Sequence, residues 1–161
     1  MYNKQIDIQE VVNFVSNCSP ATKLYIGCDS ERLRVEGVWH ADYITAVVVH
    51  INGNSGCKIF GAVDREREFE QRSNKPRMRL MNEVYRVANL YLSLTEVIDN
   101  DIQVHLDINP NEMFGSSIVI NEAVGYIKGM CNVIPMVKPG AFAASYAADR
   151  FKEVMGNRKV A

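Results

Sequence analysis

Ile102-Gln103-Val104-His105-Leu106-Asp107-Ile108-Asn109-Pro110-Asn111 is the stretch on which the reading of this chain turns. Ile102, Val104, Leu106 and Ile108 alternate with Gln103, His105, Asp107 and Asn109, the period-two pattern of a strand. Pro110 has no N–H for a ladder and restricts Asn109 to extended or turn geometry, so the strand is expected to stop there. An Asp is thus carried near the end of an interior strand, with a His two residues earlier on the same side. Asp107 is either a functional carboxylate or a turn residue.

The 161 residues suit one domain over 1–161, with a core expected at about 23–155. Hydrophobic content of 47% and charged content of 23% are ordinary for a globular protein. No apolar run approaches a membrane span and Met1–Gln5 carries no signal-peptide pattern, so the expected location is cytoplasmic. Cys18, Cys28, Cys57 and Cys131 are scattered without a C-x-x-C pair, which argues against a zinc site or a disulfide framework. A net charge of −1 makes no global case for nucleic acid, so such a partner needs a local basic patch.

Outward from the central strand, the chain alternates elements. An amphipathic helix is predicted from about Asp7 to Asn17, built on Val11, Val12, Phe14 and Val15. Lys23–Cys28 is a strand that runs into Asp29, with Gly27 allowing close approach. Tyr43–Ile51 is β-branched on both faces and reads as a buried strand; Asn52–Gly56 turns into Cys57–Val63, which makes an antiparallel hairpin. The segment between Asp29 and Tyr43 is a loop or a further strand. Asp64–Lys75 reads as a charged linker, and Pro76 opens a helix running to about Val97. Its polar stripe is Arg79, Asn82, Arg86, Asn89 and Ser93, whereas Glu83 falls on the apolar flank. A helix from Ser116 to about Gly129, an edge strand at Val133–Val137 and a final helix from Ala141 to about Met155 complete the order. Strand–helix alternation after a hairpin argues for an α/β fold, a mixed sheet covered by helices.

Asp29, Glu83, Asp107 and Asp149 each stand out, because ionised carboxylates are costly to bury unless paired or metal-bound. If the strands ending at Asp29 and Asp107 are neighbours, their like charges call for a hard divalent cation, Mg²⁺ or Mn²⁺. The alternatives are turn-capping for Asp29 and Asp107, an Arg-paired boundary position for Glu83, and a solvated face for Asp149. Glu122 is a reserve ligand or helix surface.

The order Asp on the first strand, Glu on the helix after three strands, Asp on the fourth strand and Asp on the final helix resembles the ribonuclease H-like superfamily. The wording is similar to its YkuK-like family of bacterial and phage proteins. Tyr25-Ile26-Gly27-Cys28-Asp29-Ser30, His105–Pro110, Glu122–Met130 and Val137–Ala144 through Ala148-Asp149-Arg150 carry that likeness, from about Lys23 to Arg150. The resemblance implies a five-stranded mixed sheet flanked by helices, here with an extra N-terminal helix, and a site for Mg²⁺ or Mn²⁺. It leaves the substrate open.

The resulting expectation is a metal-dependent nuclease acting on RNA, DNA or hybrid, with Asp29 and Asp107 as core ligands and Glu83 and Asp149 completing the site. The rival is a non-catalytic module of the same fold that binds nucleic acid or protein. His105 either shuttles protons or binds a leaving group beside Asp107, or it packs in its strand. Lys138 either meets a phosphate, acts as a cap or lies in solvent, and Asn109 either positions a water or shapes its loop. From Arg65 to Arg86 seven basic residues face four acidic ones, a modest patch in which Lys75, Arg77 and Arg79 are candidates for the nucleic-acid backbone.

Overall fold

The structure, a computed structural model, describes residues 4–69, 77–108, 116–138, 140, 141 and 149. Four strands form one sheet in the order β3-β2-β1-β4: β1 is Lys23–Val35, β2 Val38–His50, β3 Cys57–Arg67 and β4 Ile102–Val104. β1 pairs antiparallel with β2 and parallel with β4, and β2 pairs antiparallel with β3. The helices are α1 (Ile8–Ser16), α2 (Arg77–Thr95) and α3 (Ser116–Cys131).

α1 begins where the sequence places its cap. The Asp7 carboxylate accepts the Glu10 amide at 3.2 Å, satisfying a backbone donor that the first turn leaves without a partner. Val11 and Val15 bury their side chains, and Phe14 meets Phe60 of β3 edge-on. Along β1, Leu24, Ile26 and Cys28 alternate inward; with Val47, Val49 and Val104 they form one face of the sheet. Val84 and Val87 of α2 and Ala123 and Ile127 of α3 close over that face in a single apolar cluster. Tyr25, Ala46, Val48 and Ile59 cluster on the opposite face.

The segment between Asp29 and Tyr43 proves to be strand on both sides of a two-residue turn. Glu36 and Gly37 both have positive φ, 51° and 79°, the geometry whose twist matches the flanking strands of a tight hairpin. β3 likewise continues through Asp64–Arg67, residues expected in a linker. Its charges are cross-strand partners: Arg65 lies opposite Asp42 in the ladder and grips it with two hydrogen bonds of 2.6 and 2.9 Å.

The expectation of five strands is corrected. Among the described residues Val133–Val137 contributes one parallel bridge, His105 to Met136, and not a strand. Pro135, with no amide to give, precedes the bridge, which limits how far the ladder extends. Met136 still donates to the Val104 carbonyl at 2.8 Å and accepts from Leu106 at 2.9 Å. Of the expected terminal helix, all but Ala141 and Asp149 lies outside the described residues.

The polar stripe of α2 is not uniformly solvated. Arg86 reaches β3, bonding Asp64 at 3.0 and 2.5 Å and Glu66 at 2.8 Å, with its guanidinium 3.8 Å above the Tyr43 ring. Asn82 donates to the Tyr43 hydroxyl at 3.2 Å. Replacing Arg86 with Ala should therefore destabilise the protein by about 2–3 kcal/mol in urea unfolding, through lost helix-to-sheet bridging. An unchanged midpoint would show that the network contributes nothing.

Candidate functional site

The site is set by pairing of β1 with β4. Leu24, Tyr25 and Ile26 lie opposite Ile102, Gln103 and Val104, and the His105 amide donates to the Ile26 carbonyl at 2.8 Å. The paired register ends at Ile26 and Val104, so Asp29 lies three residues beyond the last paired residue of β1 and Asp107 three beyond that of β4. Alternation places both on the face of Tyr25 and His105, whose rings stand 5.2 Å apart. Asp29 and Asp107, the first two acids singled out in the sequence, thus follow the paired ends of two neighbouring parallel strands. The Oδ1 of Asp29 accepts the Ser30 amide at 2.9 Å, which orients its carboxylate.

Glu83 reaches the same end of β1 from the other side. It is 2% exposed, within the inward face of α2 beside Val84 and Val87. Ser30, one residue beyond Asp29 and in phase with Leu24, Ile26 and Cys28, donates its hydroxyl to Glu83 Oε1 at 2.5 Å. A carboxylate held this deeply requires such a donor. The neighbouring Cys28 thiol is buried and pushed well up, first by burial and then by the Glu83 charge, which favours the protonated thiol.

Asp107 has a different partner. Lys138 Nζ lies 2.6 Å from its Oδ1, with the Asp side chain 11% exposed and the Lys 42%. Lys138, read from the sequence as a phosphate contact, a cap or an exposed residue, is here the countercharge of the central Asp. His105 is 1% exposed against Tyr25, and burial lowers its pKa, favouring the neutral ring.

The remaining candidates separate. Among the described residues no three His, Cys, Asp or Glu side chains gather closely enough to hold a metal ion. Asp29 and Asp107 belong to one face and Glu83 to the other, while Asp149 is exposed. Glu122 is committed to Arg77, with Nε to Oε2 at 2.8 Å, and that bond holds the Glu122 carboxyl below its ordinary range. Arg79 keeps its Nε out of solvent. Asn109 and Lys75 lie outside the described residues. A groove of about 650 Å³ between residues 4–8, β3 and α2 is lined by Thr45, Asp64, Arg86 and Asn89 and by none of these four acids.

Ser30 is the residue that sequence reasoning missed. Its signal was present: a hydroxyl continuing the inward phase of a strand must find a buried acceptor on the covering helix. Ser30→Ala should cost about 1.5–3 kcal/mol of stability, the range for a hydrogen bond to a charged group. Ser30→Thr, which keeps the hydroxyl, should restore most of it in the same denaturant titration; equal loss in both would assign the effect to packing.

The chain matches a family described as Ribonuclease H-like over residues 7–153. A search of the curated proteins finds no match. A solved structure, described as the crystal structure of NurA, is similar at 8% identity and a TM-score of 0.31, over 93% of this chain and 34% of that one. This chain therefore spans about a third of that protein's length. The family match covers nearly all of the sequence that builds the sheet, its covering helices and the paired strand ends: this chain belongs to the ribonuclease H-like family.

Proposed function

We propose that this chain is a divalent-metal-dependent nuclease, of the YkuK-like branch, that hydrolyses phosphodiester bonds of RNA, DNA or RNA/DNA hybrid. The observation that carries the reading is the parallel pairing of β1 with β4, whose paired ends each lead within three residues to an Asp, Asp29 and Asp107. The donors suit Mg²⁺ or Mn²⁺, being carboxylate oxygens without sulfur or imidazole among them. Asp107 also holds a positive group in hand: the Lys138 ammonium at 2.6 Å stands in for a cation at that oxygen.

Asp29 and Asp107 would be the main ligands, with Asp149 as a further donor and Glu83, bonded to Ser30 on the other face of β1, acting through that residue. A bound ion would supply positive charge to an attacking water and to the phosphoryl oxygens as negative charge develops. The chain's own residues contribute orientation. Ser30 fixes both neighbours, its amide on Asp29 and its hydroxyl on Glu83. His105 packs on Tyr25 two residues before Asp107.

A second reading, a non-catalytic nucleic-acid- or protein-binding module, is favoured by one observation. Among the described residues the acids do not gather in threes.

Labelled RNA, DNA and hybrid incubated with the protein and Mg²⁺ or Mn²⁺ should be cleaved, and cleavage should stop with EDTA. Asp107→Asn should lower the rate by at least about a hundredfold, the scale of losing a core group in charge stabilisation. Full activity in that variant would remove Asp107 from the chemistry. Binding without cleavage in every metal would favour the second reading.

A further inference from the structure

Asp107 and Lys138 are brought together by the backbone. The bridge between His105 and Met136 runs parallel, so two residues further on Asp107 and Lys138 stand side by side. The Leu106 amide donates to Met136 at 2.9 Å and the Lys138 amide to Ile108 at 3.0 Å, which anchors the chain on both sides of the pair. The 2.6 Å contact is thus built into the sheet edge. The carboxylate is nearly enclosed and the ammonium stem is part exposed, at 11% and 42%.

A divalent ion meets a carboxylate oxygen at about 2.1 Å. If it shared Asp107 Oδ1 with Lys138, the two positive centres would lie no farther apart than the two contact lengths together. Like charges so close repel strongly in a partly enclosed site. Ion and ammonium therefore compete for one carboxylate.

We infer that Lys138 is a resident counter-ion that closes Asp107 in the ion-free protein and yields it when a divalent cation binds. The inference rests on the proposed cation site and adds its regulation. Lys138 sets a positive charge against the enclosed carboxylate without metal, which protects the fold from an uncompensated buried charge. It also holds down cation affinity. On ion entry the long, part-exposed side chain swings its ammonium outward at the rim of the same site, where an anionic backbone would meet it.

The test is calorimetric titration of Mn²⁺ into the full chain for wild type, Lys138→Met, Lys138→Gln, Lys138→Arg and Asp107→Asn, each checked for folding by circular dichroism. Lys138→Met and Lys138→Gln should bind Mn²⁺ on the order of tenfold more tightly, within the usual span of coupling between two competing groups. Lys138→Arg should stay near wild type. The rise in Tm caused by Mn²⁺ should grow in the same two neutral variants, a readout independent of activity. Equal or weaker Mn²⁺ binding in them, with binding still lost in Asp107→Asn, would overturn the competition and leave the site standing. Absence of Mn²⁺ binding in every protein would overturn both.

Discussion

Parallel pairing of β1 with β4 is the constraint on which the rest depends. β1 is the strand shared by both halves of the sheet: its antiparallel side carries the long β1–β2–β3 ribbon and its parallel side carries β4. Only in the parallel register do the two strands end on the same side, so that Asp29 and Asp107 both follow at that end of the sheet. A one-residue slip would put Asp107 among the apolar side chains and Leu106 outside. The burial of Leu24, Ile26, Val104 and Leu106 against α2 and α3 fixes the register that the carboxylates need.

Charge is handled by direct matching throughout. Asp42 with Arg65, Arg86 with Asp64 and Glu66, Arg77 with Glu122 and Lys138 with Asp107 tie strand to strand, helix to sheet, helix to helix and the segment after α3 to the central Asp. Arg32 pairs with Glu68 and lies 4.4 Å over Trp39, extending the same device to the end of the ribbon. The basic residues that suggested a nucleic-acid patch are thereby partly neutralised. A polyanion meeting this surface would have to compete with carboxylates already in place, so its binding would weaken with salt less steeply than a row of unengaged cations would predict.

Much of this was legible in the sequence, for local reasons. The Asp7 cap, the phase of Val11 and Val15, the inward side of α2 and the anomaly of Glu83 all follow from periodicity and from the cost of burying charge. What was not legible depends on partners distant in the chain. The Glu36-Gly37 turn lacks the usual Asn or Asp at its first left-handed position, so two strands read as an undecided segment. Asp64–Arg67 looks like a linker until Asp42 and Arg86 are set beside it. Lys138 gave no sign of its bond to Asp107, because that contact exists only once Met136 has bridged to His105.

The four acids picked from the sequence are not one cluster in the described residues. The pair from β1 and β4 and the Ser30–Glu83 bond sit on opposite faces of one strand end. The central claim is that Asp29 and Asp107 together hold the cation. Anomalous diffraction from crystals soaked in Mn²⁺ tests it most directly. The account predicts a peak in contact with both carboxylates and the Lys138 ammonium withdrawn from Asp107; a peak elsewhere, or Lys138 still seated on Asp107 beneath an occupied site, would contradict it.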